Sequence, residues 1–215
     1  MTTKIIRPVE IVEPVFARAS TATYLDAQGL VQTAAANVQR PMIVGGELRG
    51  VLIEPAATNL FTYSEALADA SWLQGAALAN FFTPDASPIT DIKGTFTARR
   101  FTCADPQVLF LRKYFSSIAA GTTLTVSMWV YVPAQAGITS WLLHTDLDDL
   151  DAGSAVLSTA FGKWVRATSS VSASAARTVV DMNLLVNGGG VPPVGFVLHV
   201  CCLQLEVGGV SSYIP

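Results

Sequence analysis

Charge is what this sequence has least of. Asp, Glu, Lys and Arg make up 13% of its 215 residues, against 51% hydrophobic residues, and the mean hydropathy is +0.44. Globular chains carry about 25% charged residues on average, so polar groups here are too scarce to cover a lone monomer. Much of the surface is therefore expected to lie against other chains. The net charge is −3, the pI is about 5.3, and the basic residues are scattered. No basic field gathers to attract a phosphate backbone, so nucleic acid is not an expected ligand.

Long hydrophobic runs are missing too. No residue from Tyr114 to Leu143 is charged, yet Gly, Pro, Thr, Ser and Gln interrupt the segment. None of its runs reaches the roughly 18 to 20 apolar residues of a membrane-crossing helix, so membrane insertion is not expected. The opening MTTKIIRPVE is charged and has no apolar secretory core, which predicts folding in a cytoplasm. Cysteine is confined to Cys103, Cys201 and Cys202. The number is odd and a disulfide between the adjacent pair would be strained, so all are expected as buried free thiols. Zinc-ligand spacing is absent.

Catalytic signatures are equally thin. The histidines are His144 and His199, and no GxSxG elbow, HExxH, P-loop or paired Cys and His motif occurs. His199, in an apolar segment, reads as a satisfied core side chain rather than a general base. No cofactor and no enzyme activity are expected. A polysaccharide depolymerase built on dispersed carboxylates is the alternative, since the separation such catalysis requires is spatial rather than sequential.

What the sequence has in quantity is period-two alternation between Gly, Pro, Asn and Asp punctuation, which argues for an antiparallel sandwich. From Thr122 to Val132, Leu124, Val126, Met128, Val130 and Val132 fall on one face and Thr123, Thr125, Ser127, Trp129 and Tyr131 on the other. The first face belongs in the core. Further strands are expected at Glu47–Ile53, Gly94–Phe101, Val108–Phe115, Ile138–Thr145, Lys163–Ala173, Val179–Val186 and Gly195–Val207. The last of these, GFVLHVCCLQLEV, is apolar on both faces, as a central or covered strand would be. Ser64–Ala70 can make one short helical turn, with Ser64 as its cap. Residues 1–15, with Pro8 and Pro14 around short apolar pairs, read as an extended docking arm ahead of a domain spanning 16–215.

Specific motifs narrow the reading. The segment GVLIEPAATNL at Gly50–Leu60, the GKWVR strand at Gly162–Arg166 and the closing QLEVGGVSSYIP, with its QLE at Gln204–Glu206, resemble a recurrent module of phage virion structural proteins. SMWVYV and GKWVRATSSV are similar to jelly-roll carbohydrate-binding modules, looser evidence because fold does not fix function. The resemblance implies an all-β, antiparallel jelly-roll β-sandwich with a short extended N-terminal arm. It further implies a non-enzymatic component of a tailed-phage virion, assembled in the host cytoplasm. The expected partners are other virion proteins, further copies of the chain with a homotrimer favoured, and host surface glycans. An oligomeric tail or fibre appendage is the first expectation, and a capsid decoration or head-fibre protein the alternative.

Within such a sandwich, alternation lets Trp129, Tyr131, Trp141, Trp164, Arg166, Asp181 and Asn183 share the non-core side of neighbouring strands. Aromatic rings beside carboxylates and amides suit glycans, because sugar C–H groups stack on rings while hydroxyls need directional partners. Packing in the core or at subunit interfaces is the competing role for each tryptophan. Asp146, Asp148, Asp149 and Asp151 cluster as calcium ligands can, but without an EF-hand signature they read as a solvated acidic turn and no metal site is expected. Glu54 and Asn59 read as structural, Asn59 as a turn former, and Glu206 as the partner of a backbone group or an arginine.

Overall fold

The architecture is that of a computed structural model, described for residues 17–18, 21–54, 57–61, 64–67, 82–95, 97–106, 109–154 and 156–214. Among these residues the strands are β1 (Ala22–Leu25), β2 (Val31–Ala34), β3 (Pro41–Val44), β4 (Glu47–Val51), β5 (Phe82–Ala86), β6 (Arg99–Cys103) and β7 (Leu109–Ile118). They continue with β8 (Thr123–Tyr131), β9 (Trp141–Leu147), β10 (Asp151–Ala152), β11 (Val156–Ser158), β12 (Trp164–Ser172), β13 (Arg177–Val186) and β14 (Val197–Val207). No described residue is helical. A front sheet runs β10-β9-β13-β7 with β11 beside β9, and a back sheet runs β12-β8-β14-β6-β5. The pair forms the antiparallel jelly-roll sandwich that the sequence predicts. The hairpins β1-β2 and β3-β4 are separate two-stranded ribbons.

The core follows from alternation. Leu124, Val126, Met128, Val130 and Val132 of the β8 segment are all buried in the central cluster, facing Leu143, Leu147, Met182 and Leu184 of the front sheet. Each such side chain contributes about 1.5 to 3 kcal/mol of hydrophobic stabilisation. Trp141 lies in the same cluster at 1% exposure, and its indole Nε1 donates to the Ala160 carbonyl at 3.0 Å. One edge of the sandwich is drawn tight: a Cβ on Gly153 would lie 2.6 Å from the Thr145 carbonyl oxygen and 2.8 Å from that of Ser170. Only glycine fits where the two sheets approach this closely.

β14 is a central strand of the back sheet, as its apolar character predicts, but the reason is more specific than burial on both sides. Its register with β8 shifts between Cys201 and Gln204, and Cys202 takes a left-handed φ of 57°. This bulge lets Cys201 and Cys202 both join the cluster on the outer side of the sheet, while Leu203 returns to the central core. A bulge that re-aims side chains explains why alternation fails at this point. All three cysteines are buried and free.

Some expectations need correction. β1, β2, β3, β5, β10 and β11 were not expected, because runs of two to five residues are too short for alternation to register. The strand expected at Gly94–Phe101 begins only at Arg99, since residues ahead of it fold around Asp91. That buried carboxylate accepts from the backbone N–H groups of Lys93, Thr95 and Thr97 and from both threonine hydroxyls. Ser64 and Glu65 lie in a turn, and 68–70, like the arm at 1–15 and Pro55, fall outside the described residues.

Candidate functional site: the open face of the front sheet

β7, β13 and β9 lie side by side with Arg112 opposite Asp181 and Asp181 opposite Asp146. One row along β13 in one direction, Asn183 is opposite His144; one row along in the other, Tyr114 is opposite Val179. Alternation sends Leu111, Lys113 and Phe115 inward, so Arg112 and Tyr114 point away from the core. The result is a polar outer face with one aromatic ring, Tyr114, at 45% exposure.

A buried ion pair anchors this face. Asp181 is fully buried, and Arg112 binds it through Nε and Nη2, the latter at 2.6 Å. The fork geometry holds the guanidinium in a fixed plane. Asp181 raises the Arg112 pKa above its ordinary value, through hydrogen bonding first. Burial pushes the Asp181 carboxyl up, and the contact with Arg112 opposes it. Arg112 also lies 3.5 Å from exposed Asp149. Asp146 accepts from Asn183 Nδ2 at 2.6 Å and stands 3.4 Å from His144 Nδ1. Burial pushes its carboxyl up, with His144 opposing.

Among the described residues, no protein group takes the Asn183 carbonyl oxygen or His144 Nε2. The face thus offers a ring for C–H stacking beside fixed donors and acceptors, the combination that sugar hydroxyls require. The acidic run does not gather around one point: Asp148 accepts from the Thr178 N–H at 3.0 Å, and Asp151 pairs with Arg177 at 2.5 Å. Each carboxylate serves a different neighbour.

The residues expected to share one glycan face are split across the sandwich. Asp181 and Asn183 are on the outer face of the front sheet. Trp141 belongs to the core, because β9 turns it inward together with Leu143 and Leu147. Trp129, Tyr131, Trp164 and Arg166 share the outer face of the back sheet, where Trp164 is opposite Tyr131 and Arg166 opposite Trp129. Alternation predicts side relative to the strand, but which sheet a strand joins is a tertiary property. Arg112, Tyr114, His144 and Asp146 were missed. The inward placement of charged Lys113 beside Arg112 hides the alternation of β7, and a lone His144 in sequence carries no sign of the strand face it occupies.

The back-sheet face is covered rather than open. Trp164 Nε1 donates to the Thr90 carbonyl at 2.9 Å, and its ring lies 5.7 Å from that of Tyr131. Trp129 packs with Ile92, Cys201, Cys202 and Tyr213. His199 is buried there, bonded through Nδ1 to Ser87 Oγ at 2.9 Å and edge-on to Tyr131. Burial lowers its pKa, as does Arg100. These contacts match the satisfied role expected of His199.

The two most distinctive motifs meet here. Asn59 Nδ2 donates to the carbonyls of Leu203 and Ile214, and its Oδ1 accepts from the N–H groups of Phe61 and Leu205. Gln204 binds Ser211, Ser212 and Ile214, Glu206 holds Ser211, and Glu54 bridges Arg40 and the Ser212 N–H. Glu54 and Asn59 of the first motif and Gln204, Glu206 and residues 211–214 of the second thus form a clasp that folds the closing tail over the back sheet. Between tail and hairpins remains a cavity of about 380 Å³, floored by Trp129 and Arg166.

No protein family model matches the sequence, and no curated protein matches it. Solved structures match by fold. A CBM4 carbohydrate-binding module is 13% identical over 60% of this chain and 80% of its own, with a TM-score of 0.38. The CBM22-1 xylan-binding domain of Paenibacillus barcinonensis Xyn10C is 11% identical over 60% and 83%, with a TM-score of 0.42. The tripod from the baseplate of bacteriophage Tuc2009 is 14% identical over 91% of this chain and 65% of that chain, with a TM-score of 0.40.

Proposed function

We propose that this protein is a non-enzymatic structural component of a tailed-phage virion that binds host surface glycans through the open face of the front sheet. The observation that carries the glycan reading is the outer face on which Tyr114, then Arg112 and Asp146, then Asn183 and His144 follow one another in three successive rows. They place an exposed ring next to Arg112, fixed by the Asp181 ion pair, with Asn183 and His144 held by Asp146 one row beyond it. The virion reading rests on the resemblance of the GVLIEPAATNL and QLEVGGVSSYIP motifs. Low charge and an apolar surface support assembly with further copies, as a trimer, in a tail or fibre appendage. Weak single sites then gain strength by multivalency.

The same geometry disfavours a depolymerase. Asp146 and Asp181 are opposed carboxylates on neighbouring strands, but both Asp181 oxygens accept from Arg112. A nucleophile must reach substrate, and Asp181 is fully buried beneath its ion pair.

The test is a binding screen on host-envelope polysaccharide with wild type and Tyr114→Ala. Retained binding by wild type and loss in the variant is the expected result; equal binding by both overturns this site. Gold labelling of intact particles tests the virion role. Label at the tail supports the appendage, label on the head moves the chain to the decoration alternative, and unlabelled particles overturn it.

A further inference from the structure

The cavity over the back sheet lies on the opposite side of the sandwich from the proposed glycan face. Its walls come from five separate segments: Tyr24 and Leu25 of β1, Val31 of β2, Met42 and Ile43 of β3, Leu52 and Glu54 beyond β4, and the tail at 210–213. Its floor is the cross-strand pair Trp129 and Arg166. At about 380 Å³ it lies within the roughly 300 to 1,000 Å³ range of small-molecule sites, and its largely apolar lining with few polar groups is typical of them.

The polar groups in the cavity are unevenly spent. Glu54 is neutralised by Arg40 at 2.6 Å, and its other oxygen accepts from the Ser212 N–H at 2.9 Å. Arg166 uses only Nη2, donating to Ser127 Oγ at 3.0 Å and Gln204 Oε1 at 3.5 Å. Among the described residues no carboxylate lies within ion-pair distance of it. Nε and Nη1 of Arg166 and Nε1 of Trp129 also meet no acceptor there, and none of these atoms is sealed from solvent. Burial works against the Arg166 charge, while Glu206 and Glu54 support it from a distance. A guanidinium stays protonated regardless.

Unspent donors on the floor and apolar walls above them define a ligand by complement. We infer that this cavity binds a carboxylate on an apolar or ring-shaped body, the carboxylate on Arg166 and the body against Trp129, Leu25, Val31 and Ile43. A neutral ligand would leave the guanidinium uncompensated, and a cation would meet it with repulsion. The same chemistry is available from a small organic acid or from an acidic sugar residue of a glycan. The site is independent of the front-sheet face and stands whether or not that face binds sugar.

Isothermal titration of the full chain with octanoate, octan-1-ol and glucuronate tests this. Octanoate is expected to bind about tenfold more tightly than octan-1-ol. That preference should vanish in Arg166→Gln and persist in Arg166→Lys. If glucuronate binds more tightly than octanoate with the same dependence on Arg166, the site stands and the source is an acidic glycan. Failure of both acids to bind, equal binding of octanoate and octan-1-ol, or unchanged preference in Arg166→Gln overturns the proposal. Should Arg166→Gln fail to fold, the Arg166 Nε–H resonance of ¹⁵N-labelled wild type decides. Its shift must move with octanoate and stay fixed with octan-1-ol; any other response overturns the site.

Discussion

The two outer faces of this sandwich are built from similar residue types and end in opposite roles. On the back sheet, Trp129, Trp164, His199 and Arg166 are roofed by hairpins and by a tail clasped through Asn59, Gln204 and Glu206. On the front sheet, Tyr114, His144 and Asp146 have no such roof among the described residues, and only Asp181 at the base is fully sealed. Aromatic and polar content therefore does not mark a binding face. What marks it is whether another segment of chain has already taken its hydrogen bonds. Apart from the unspent donors of the cavity floor, substitutions on the covered face should cost stability, and those on the open face should cost ligand alone.

The largest expected effect deliberately breaks that rule. Asp181→Ala, on the open side, removes the buried bidentate partner of Arg112 and leaves its guanidinium only the exposed Asp149 at 3.5 Å, at a cost of about 3 kcal/mol in urea unfolding. A loss below about 1 kcal/mol would mean that the pair is not a foundation of this face. Next is Asn59→Ala on the covered side. It releases the Leu203, Leu205, Phe61 and Ile214 backbone groups at once, with an expected loss of about 2 to 3 kcal/mol. Faster backbone hydrogen exchange confined to 205–214 would locate the damage in the clasp.

Asp91 sharpens the comparison through pH. It fixes the loop whose Thr90 carbonyl holds Trp164 and whose Ile92 packs in the covered cluster. Burial raises its carboxyl pKa, but the threonine hydrogen bonds outweigh this and leave it below 3.8. A carboxyl depressed in the folded state contributes stability that is fully present above its unfolded pKa and lost as pH falls through the folded value. Asp91→Asn should destabilise by about 1 to 2 kcal/mol at neutral pH. It should also flatten the acid limb of a Tm against pH profile below about pH 4. An unchanged acid limb would assign acid sensitivity elsewhere. The smallest expected effect on stability is that of Tyr114→Ala, within about 1 kcal/mol, despite complete loss of binding to the glycan face. A large fall in Tm would show that the ring is packing rather than an open platform.

How much of this was legible in the sequence differs by element. β8 and β12 were placed nearly residue for residue because each alternates cleanly and has one wall in the core. β7 was placed as a strand, but Lys113 at an inward position obscured its face and, with it, Arg112 and Tyr114. In β14 the VCC step marked a departure from alternation, but the bulge at Cys202 depends on a left-handed backbone that no propensity scale signals at cysteine. The structural role given to Asn59 was legible from the tendency of Asn to bond its own chain in a turn. Its partners at Leu203 and Ile214 were not, since they lie far along the chain.

By itself the sequence determined the all-β character, the antiparallel pairing and the composition of the core, because these follow from local periodicity and from the free energy of removing apolar surface from water. Only the tertiary structure decided which strands share a sheet, and so which of two outward faces each polar residue occupies. It also decided which of those faces the chain covers with its own tail. Those choices rest on contacts between residues distant in sequence, and pairing at that range leaves no period to read.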